Sequence, residues 1–142
     1  MTVEVRLLGV GDEAMLASVA PDVFDHPLQA QLTAEFLADK RHHLAVAREA
    51  GRIVGFASAV HYVHPDKPPE LWVNEVGVAP THEKQGIGRQ LLQALFARGR
   101  ELGCAEAWLG TAEANIAARR LYSAAGGMEA PMVYITFQLT AR

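Results

Sequence analysis

The chain has 142 residues, half of them hydrophobic and a fifth charged, with a formal net charge of −3. That length supports one hydrophobic core, so a single domain over 1–142 is expected, and the negative balance counts against a general nucleic-acid binder. No apolar run reaches the length of a membrane span, and one cysteine, Cys104, excludes an internal disulfide.

The N-terminal stretch carries Glu4, Asp12 and Glu13 and no long apolar core, so it does not read as a signal peptide and the expected location is cytoplasmic. Residues 3–8 alternate and read as a strand. Asp12 is placed to cap a helix through Met15, Leu16 and Val19, which Pro21 stops. Residues 28–37 read as a second helix with Leu28, Leu32, Phe36 and Leu37 as its apolar stripe. Residues 44–48 and 53–62 form a hairpin pattern around Glu49-Ala50-Gly51-Arg52, and the loop 64–70 is stiffened by prolines.

Residues 71–78 read as a strand running into Ala79-Pro80 and a polar turn, with a helix over 90–102 ended by Gly103. A strand over 105–109, a helix from Asn115 to about Ala125 and a last strand over 131–139, with Val133, Ile135, Phe137 and Leu139 alternating, complete the order. Strands interleaved with crossover helices predict an α/β three-layer domain.

The most informative stretch is Val76 to Leu92, where a strand, a turn with Gly86-Ile87-Gly88 and an amphipathic helix follow one another. Such a junction points several backbone N–H groups and the positive end of a helix dipole at one spot, where a pyrophosphate fits. Glycines at 86 and 88 would let that ligand approach the backbone. The nucleotide-hydrolase loop does not fit, because Gly88 is followed by Arg89-Gln90. The dinucleotide fingerprint does not fit either, because Leu91 stands where its third glycine would fall. An ordinary strand-to-helix turn remains the other reading. Asn115 and Tyr122, seven apart on one helix face, read equally as a helix cap and a core aromatic, or as an amide-binding side chain and a proton donor.

Two motifs are similar to those of the GNAT superfamily of acetyl-CoA-dependent N-acetyltransferases. Glu83-Lys-Gln-Gly86-Ile-Gly88 resembles its Arg/Gln-x-x-Gly-x-Gly/Ala turn, and Asn115, Ala118, Leu121 and Tyr122 match its Asn-x-x-Ala-x-x-Leu-Tyr helix. The resemblance covers nearly the whole chain and implies a central mixed, mostly antiparallel sheet flanked by helices. It implies acetyl-CoA as cosubstrate, held by Lys84, Gln85, Gly86, Ile87, Gly88 and Arg89 at the turn, by Val76 and Val78 on the preceding strand, and by Asn115 and Ala118. Glu83 departs from the pattern, and is expected to point into solvent while Lys84 and Arg89 supply positive charge.

The resemblance also implies that Glu75 is the base, that the Val78 N–H polarises the carbonyl and that Tyr122 protonates the leaving sulfur, with direct amine attack in a ternary complex. The segments that shape the acceptor pocket in the family hold Asp25, Glu35 and Asp66 here, beside Glu75, and would attract a polycation. Among small members, the aminoglycoside 3-N-acetyltransferases share the compact length and the acid placed after Trp72, so an aminoglycoside is the leading acceptor. Another small amine, a protein amine, or a non-catalytic acetyl-CoA sensor are the alternatives. Pairing through the C-terminal strands is common in the family, and the apolar run Val133 to Phe137 permits a homodimer. His42-His43 and His61 to His64 have no recognised ligand pattern, so no metal is expected.

Overall fold

The computed structural model describes residues 2–141; Met1 and Arg142, the ends of the expected 1–142 domain, lie outside them. The elements are β1 (Val3–Leu8), α1 (Ala30–Ala38), β2 (His42–Glu49), β3 (Arg52–Tyr62), β4 (Glu70–Val78), α2 (Ile87–Glu101), β5 (Glu106–Trp108) and α3 (Ile116–Ala124). Short 3-10 turns lie at Glu13–Leu16 and Pro80–His82. The five strands form one sheet in the order β1-β2-β3-β4-β5, antiparallel except for the parallel β4–β5 pair. The β2–β3 hairpin turns through Ala50 (φ 51°) and Gly51 (φ 78°), the positive pair that matches the twist of the flanking strands.

Two helical layers flank the sheet. α2 lies on the face formed by Ala45, Ala47, Gly55, Ala57 and Ala59, where small residues let it come close. A Cβ on Gly55 would sit 3.2 Å from Ile87 and 3.3 Å from Leu91. Leu91, Leu92 and Leu95 are fully buried there, and burial of each contributes roughly 1.5–3 kcal/mol. α1 lies on the opposite face, with the Phe36 ring 5.2 Å from that of His42. Among the described residues no helix is long and apolar enough to cross a membrane.

Four expectations are corrected. The helix expected after Asp12 is only the turn Glu13–Leu16, because the Ala20 N–H donates to Ile53 O and the Ile53 N–H to Ser18 O, drawing 18–20 against β3. Asp12 does not cap that turn; its carboxylate accepts from the Gly9 N–H at 2.8 Å. The stripe expected on 28–37 buries only Leu37, while Leu28 and Leu32 stay exposed. The last strand, 131–139, does not form, and the apolar side chains of that segment are exposed.

Candidate active site

β4 positions the chemistry. Its pairing with β3 slips between Ser58 and Ala59: Ser58 faces Glu75 and Ala59 faces Val73, so Asn74 is an extra residue, a β-bulge. Without the bulge, Glu75 would share the α2 face with Val73. With it, Glu75 pairs with Ser58 and joins Trp72 and Asn74 on the α1 face, exposed to solvent. Two hollows open on that face. One of about 40 Å³ is lined by Phe36, His42, Ser58, Val60, Trp72 and Asn74. The other, about 210 Å³, is lined by Leu32, Glu35, Phe36, Asp39 and His42.

The same strand opens a slot on its other edge. β5 pairs only with Glu70, Leu71 and Trp72, so from Val73 to Val78 the outer edge of β4 has no ladder partner among the described residues. Backbone groups on that edge, those of Val76 and Val78 included, are available to an extended ligand. The slot leads to the turn before α2. There Lys84 (φ 60°) and Gly86 (φ 80°) are left-handed, and α2 starts at Ile87 with no side-chain cap. Among the described residues no side chain caps the first N–H groups of α2, the arrangement that receives an anion. Lys84, Gln85 and Arg89 are exposed around it, whereas the Ile87 side chain is buried, leaving only its backbone to serve a ligand. Glu83 is exposed, as expected.

The two glycines divide their work. Gly86 is open, and its positive φ makes the turn. Gly88 instead clears space for α3: a Cβ there would lie 2.9 Å from Leu121 Cδ2. Gly88 therefore has a packing role as well, and its backbone N–H stays at the start of α2. That packing brings α3, and hence Tyr122, beside the first turn of α2. Burial pushes the Tyr122 phenol above its ordinary pKa, so it stays protonated at neutral pH. Asn115 caps α3 by accepting from the Ala118 N–H at 3.1 Å; its amide nitrogen remains for a ligand, and the Ala118 N–H is already engaged.

The acids expected around the acceptor come from several different elements. Glu35 lines the larger hollow. Asp25 follows Phe24, whose ring stacks on Phe56 at 4.0 Å, and the Val23 carbonyl packs against Gly77, so Asp25 borders the Glu75 end of β4. Asp66 lies in the loop that leads into Glu70 at the start of β4. Asp39 is held by the Arg41 guanidinium beside it, which keeps its carboxyl below the usual range. Sequence reasoning missed an aromatic wall on this face. Trp72 stacks on Trp108 at 5.8 Å, and the Trp108 indole N–H donates to the Tyr62 hydroxyl. The shared parity of 62, 72 and 108 was visible, but the pairing that aligns it was not. Among the described residues no cluster of three or more metal-ligating side chains occurs; His43 and His61 hydrogen-bond to each other at 2.8 Å.

The Acetyltransferase (GNAT) family profile matches residues 13–126. An uncharacterised N-acetyltransferase of Mycobacterium tuberculosis is 30% identical over 113 residues, covering 77% of this chain and 70% of that protein. A mycothiol acetyltransferase of Thermobispora bispora is 35% identical over 127 residues, 83% of this chain and 43% of that protein. Among solved structures, an aminoglycoside acetyltransferase from an uncultured soil metagenomic sample superposes with a TM-score of 0.85 at 20% identity, covering 99% and 100% of the two chains. AAC(6')-Iy, in complex with a CoA-linked bisubstrate analogue, superposes with a TM-score of 0.75 at 22% identity over 99% and 100%. The chain belongs to the GNAT acetyltransferase family. It is an acetyl-transferring enzyme, and acetyl-CoA is its cosubstrate.

Proposed function

We propose that this chain, as one domain over 1–142, acetylates a primary amine of a small polycationic acceptor, an aminoglycoside at its 3-N position. The observation that carries the reading is the bulge at Asn74, which aims Glu75 at the face where Asp25, Glu35 and the aromatic wall stand. Acids gather a polycation, and flat rings pack the apolar faces of sugar rings while attracting ammonium groups. Structural neighbours named as aminoglycoside acetyltransferases support the acceptor class.

In this reading acetyl-CoA supplies an activated acyl carbon, whose bond to sulfur breaks as the acceptor's C–N bond forms. Glu75 takes the proton the ammonium loses, directly or through water. The backbone N–H of Val78 on the unpaired edge stabilises developing charge on the acyl oxygen. Tyr122 gives its proton to the departing thiolate. The α2 N-terminus with Lys84, Gln85, Gly86, Ile87, Gly88 and Arg89 holds the pyrophosphate, Val76 and the Asn115 amide align the pantetheine arm, and Ala118 packs beside it. In this reading the enzyme works in the cytoplasm and would confer antibiotic resistance. The likeness to a mycothiol acetyltransferase favours a second reading, another small amine as acceptor.

Thiol release from acetyl-CoA against gentamicin- and kanamycin-type aminoglycosides, spermidine, amino acids and short peptides, with mass spectrometry of the products, tests this. A 3-N-acetylated aminoglycoside is expected. Turnover confined to another amine would discard the acceptor while leaving the catalytic assignment in place.

A further inference from the structure

One side chain ties the turn before α2 to the body of the sheet. From Thr81 to Gly86 every residue is exposed except His82. The His82 Nε2–H donates to Glu49 Oε1 at 3.0 Å, and the two side chains are only 18% and 25% exposed. On the other side of the ring the Thr81 hydroxyl lies 2.8 Å from Nδ1. A carboxylate only accepts, so Nε2 carries a proton, and the hydroxyl can donate to a bare Nδ1 or accept from a protonated one. The contact joins positions 33 apart in the chain. Glu49 makes a firm anchor, because it ends β2 and is paired on both sides, with Val3 of β1 and Arg52 of β3.

We infer that His82 is a positioning residue for acetyl-CoA: bonded to Glu49, it holds the turn 83–86 in the shape that receives the pyrophosphate. The inference rests on the reading that this turn is where the pyrophosphate sits. Two backbone contacts lead the chain up to His82. The Ala79 N–H donates to Val54 O at 2.8 Å, and the His82 N–H donates to Ala79 O at 2.8 Å. On the far side of the turn the next buried side chain is Ile87. Between these two fixed points Lys84 is left-handed at φ 60° although it carries a Cβ, a conformation that persists only where the surroundings impose it. With both ends held, the turn has its shape before the cosubstrate arrives. With the leading end freed, it spreads over other conformations. Affinity for the anion then falls with the fraction of molecules in the receptive one. Glu83 offers an anion no attraction, so more of the binding falls to the geometry of the turn. The effect belongs to cosubstrate binding and not to the chemical step, which uses Glu75 and Tyr122.

Calorimetric titration of the purified chain with coenzyme A tests this. His82→Leu should weaken binding about tenfold, the scale of one hydrogen bond to a charged group. Glu49→Ala breaks the same bond without touching the turn and should give a similar loss, and the double variant should lose no more than either alone. His82→Gln returns an N–H near the lost Nε2–H and should recover most of the affinity. Denaturant unfolding of each variant is measured alongside, because a merely structural role would lower the unfolding free energy and leave the affinity alone. Wild-type affinity in both single variants, or losses that multiply in the double variant, overturns the inference. The paired reversal Lys84→Glu and Arg89→Glu checks the pyrophosphate reading separately. If that reversal weakens binding while the His82 and Glu49 variants bind as wild type does, the anchor is wrong and the reading stands. If the reversal has no effect, the reading fails and the inference with it. Should His82→Leu not fold, Glu49→Ala decides, and wild-type affinity in it overturns the inference.

Discussion

Glu75 and Tyr122 owe their placement to neighbours rather than to their own chemistry. Asn74, the unpaired residue of the bulge, turns the Glu75 carboxylate to the acceptor face, and Gly88 lets Leu121 seat the helix that carries Tyr122. Glu75→Gln keeps size and hydrogen bonding but cannot accept a proton. Turnover should drop by about 100-fold or more, while acetyl-CoA affinity measured by calorimetry stays at the wild-type value. Unchanged turnover would remove Glu75 as the base. Tyr122→Phe leaves the ring's packing and deletes its proton. Because burial keeps the wild-type phenol protonated through neutral pH, the loss should appear in kcat, on the order of 100-fold, with acceptor KM little changed. A matched rise in KM with steady kcat would mean that Tyr122 binds the acceptor instead.

At the scale of elements, two glycines on the same junction carry different burdens, and substitution separates them. A Cβ on Gly77 would fall 2.3 Å from the Val23 carbonyl oxygen and 2.8 Å from Phe56, so backbone must move. A Cβ on Gly88 would meet only the end of the Leu121 side chain, which can change rotamer. Gly77→Ala should therefore cost about 3 kcal/mol and Gly88→Ala about 1 kcal/mol or less, read by denaturant unfolding. If the two cost the same, the close approach of the 20s segment to β4 is not as described. Strands β1 to β4, α2 and α3 were legible because alternation, helical periodicity and glycine stops all reported the same answer locally. Three things were not legible. The bulge at Asn74 is a matter of register with β3, which no local pattern encodes. The missing helix after Asp12 reflects pairing of 18–20 with Ile53, a contact distant in sequence. The tail 131–139 has a strand pattern that needs an edge to pair with, and periodicity does not say which edge.

The whole molecule is asymmetric across its sheet: one face is sealed by α2, while the other, covered in part by α1, carries the hollows beside Glu75. The sealed face is apolar except at its margin, where His43 on β2 and His61 on β3 stack under the Arg98 end of α2. Burial is the chief reason that the His43 pKa falls to about 4, with His61, Arg98 and His42 adding repulsion. His61 is lowered for the same first reason. A depressed histidine pKa sets the sign of the pH dependence. From about pH 7.5 upward the imidazole is neutral in both folded and unfolded chains and stability does not respond to it. As pH falls toward 4 the unfolded chain binds the proton first, so the native state loses stability throughout that window. From pH 7.5 to pH 5 the loss from His43 should be about 2 kcal/mol. His43→Asn removes the titration, so its unfolding free energy should fall by that much less across the same interval. Carboxylates titrating there act equally on both proteins and cancel in the difference. Parallel pH profiles for wild type and variant would show that the histidine pair is charged without penalty, and so is more open to water than its position beneath α2 implies.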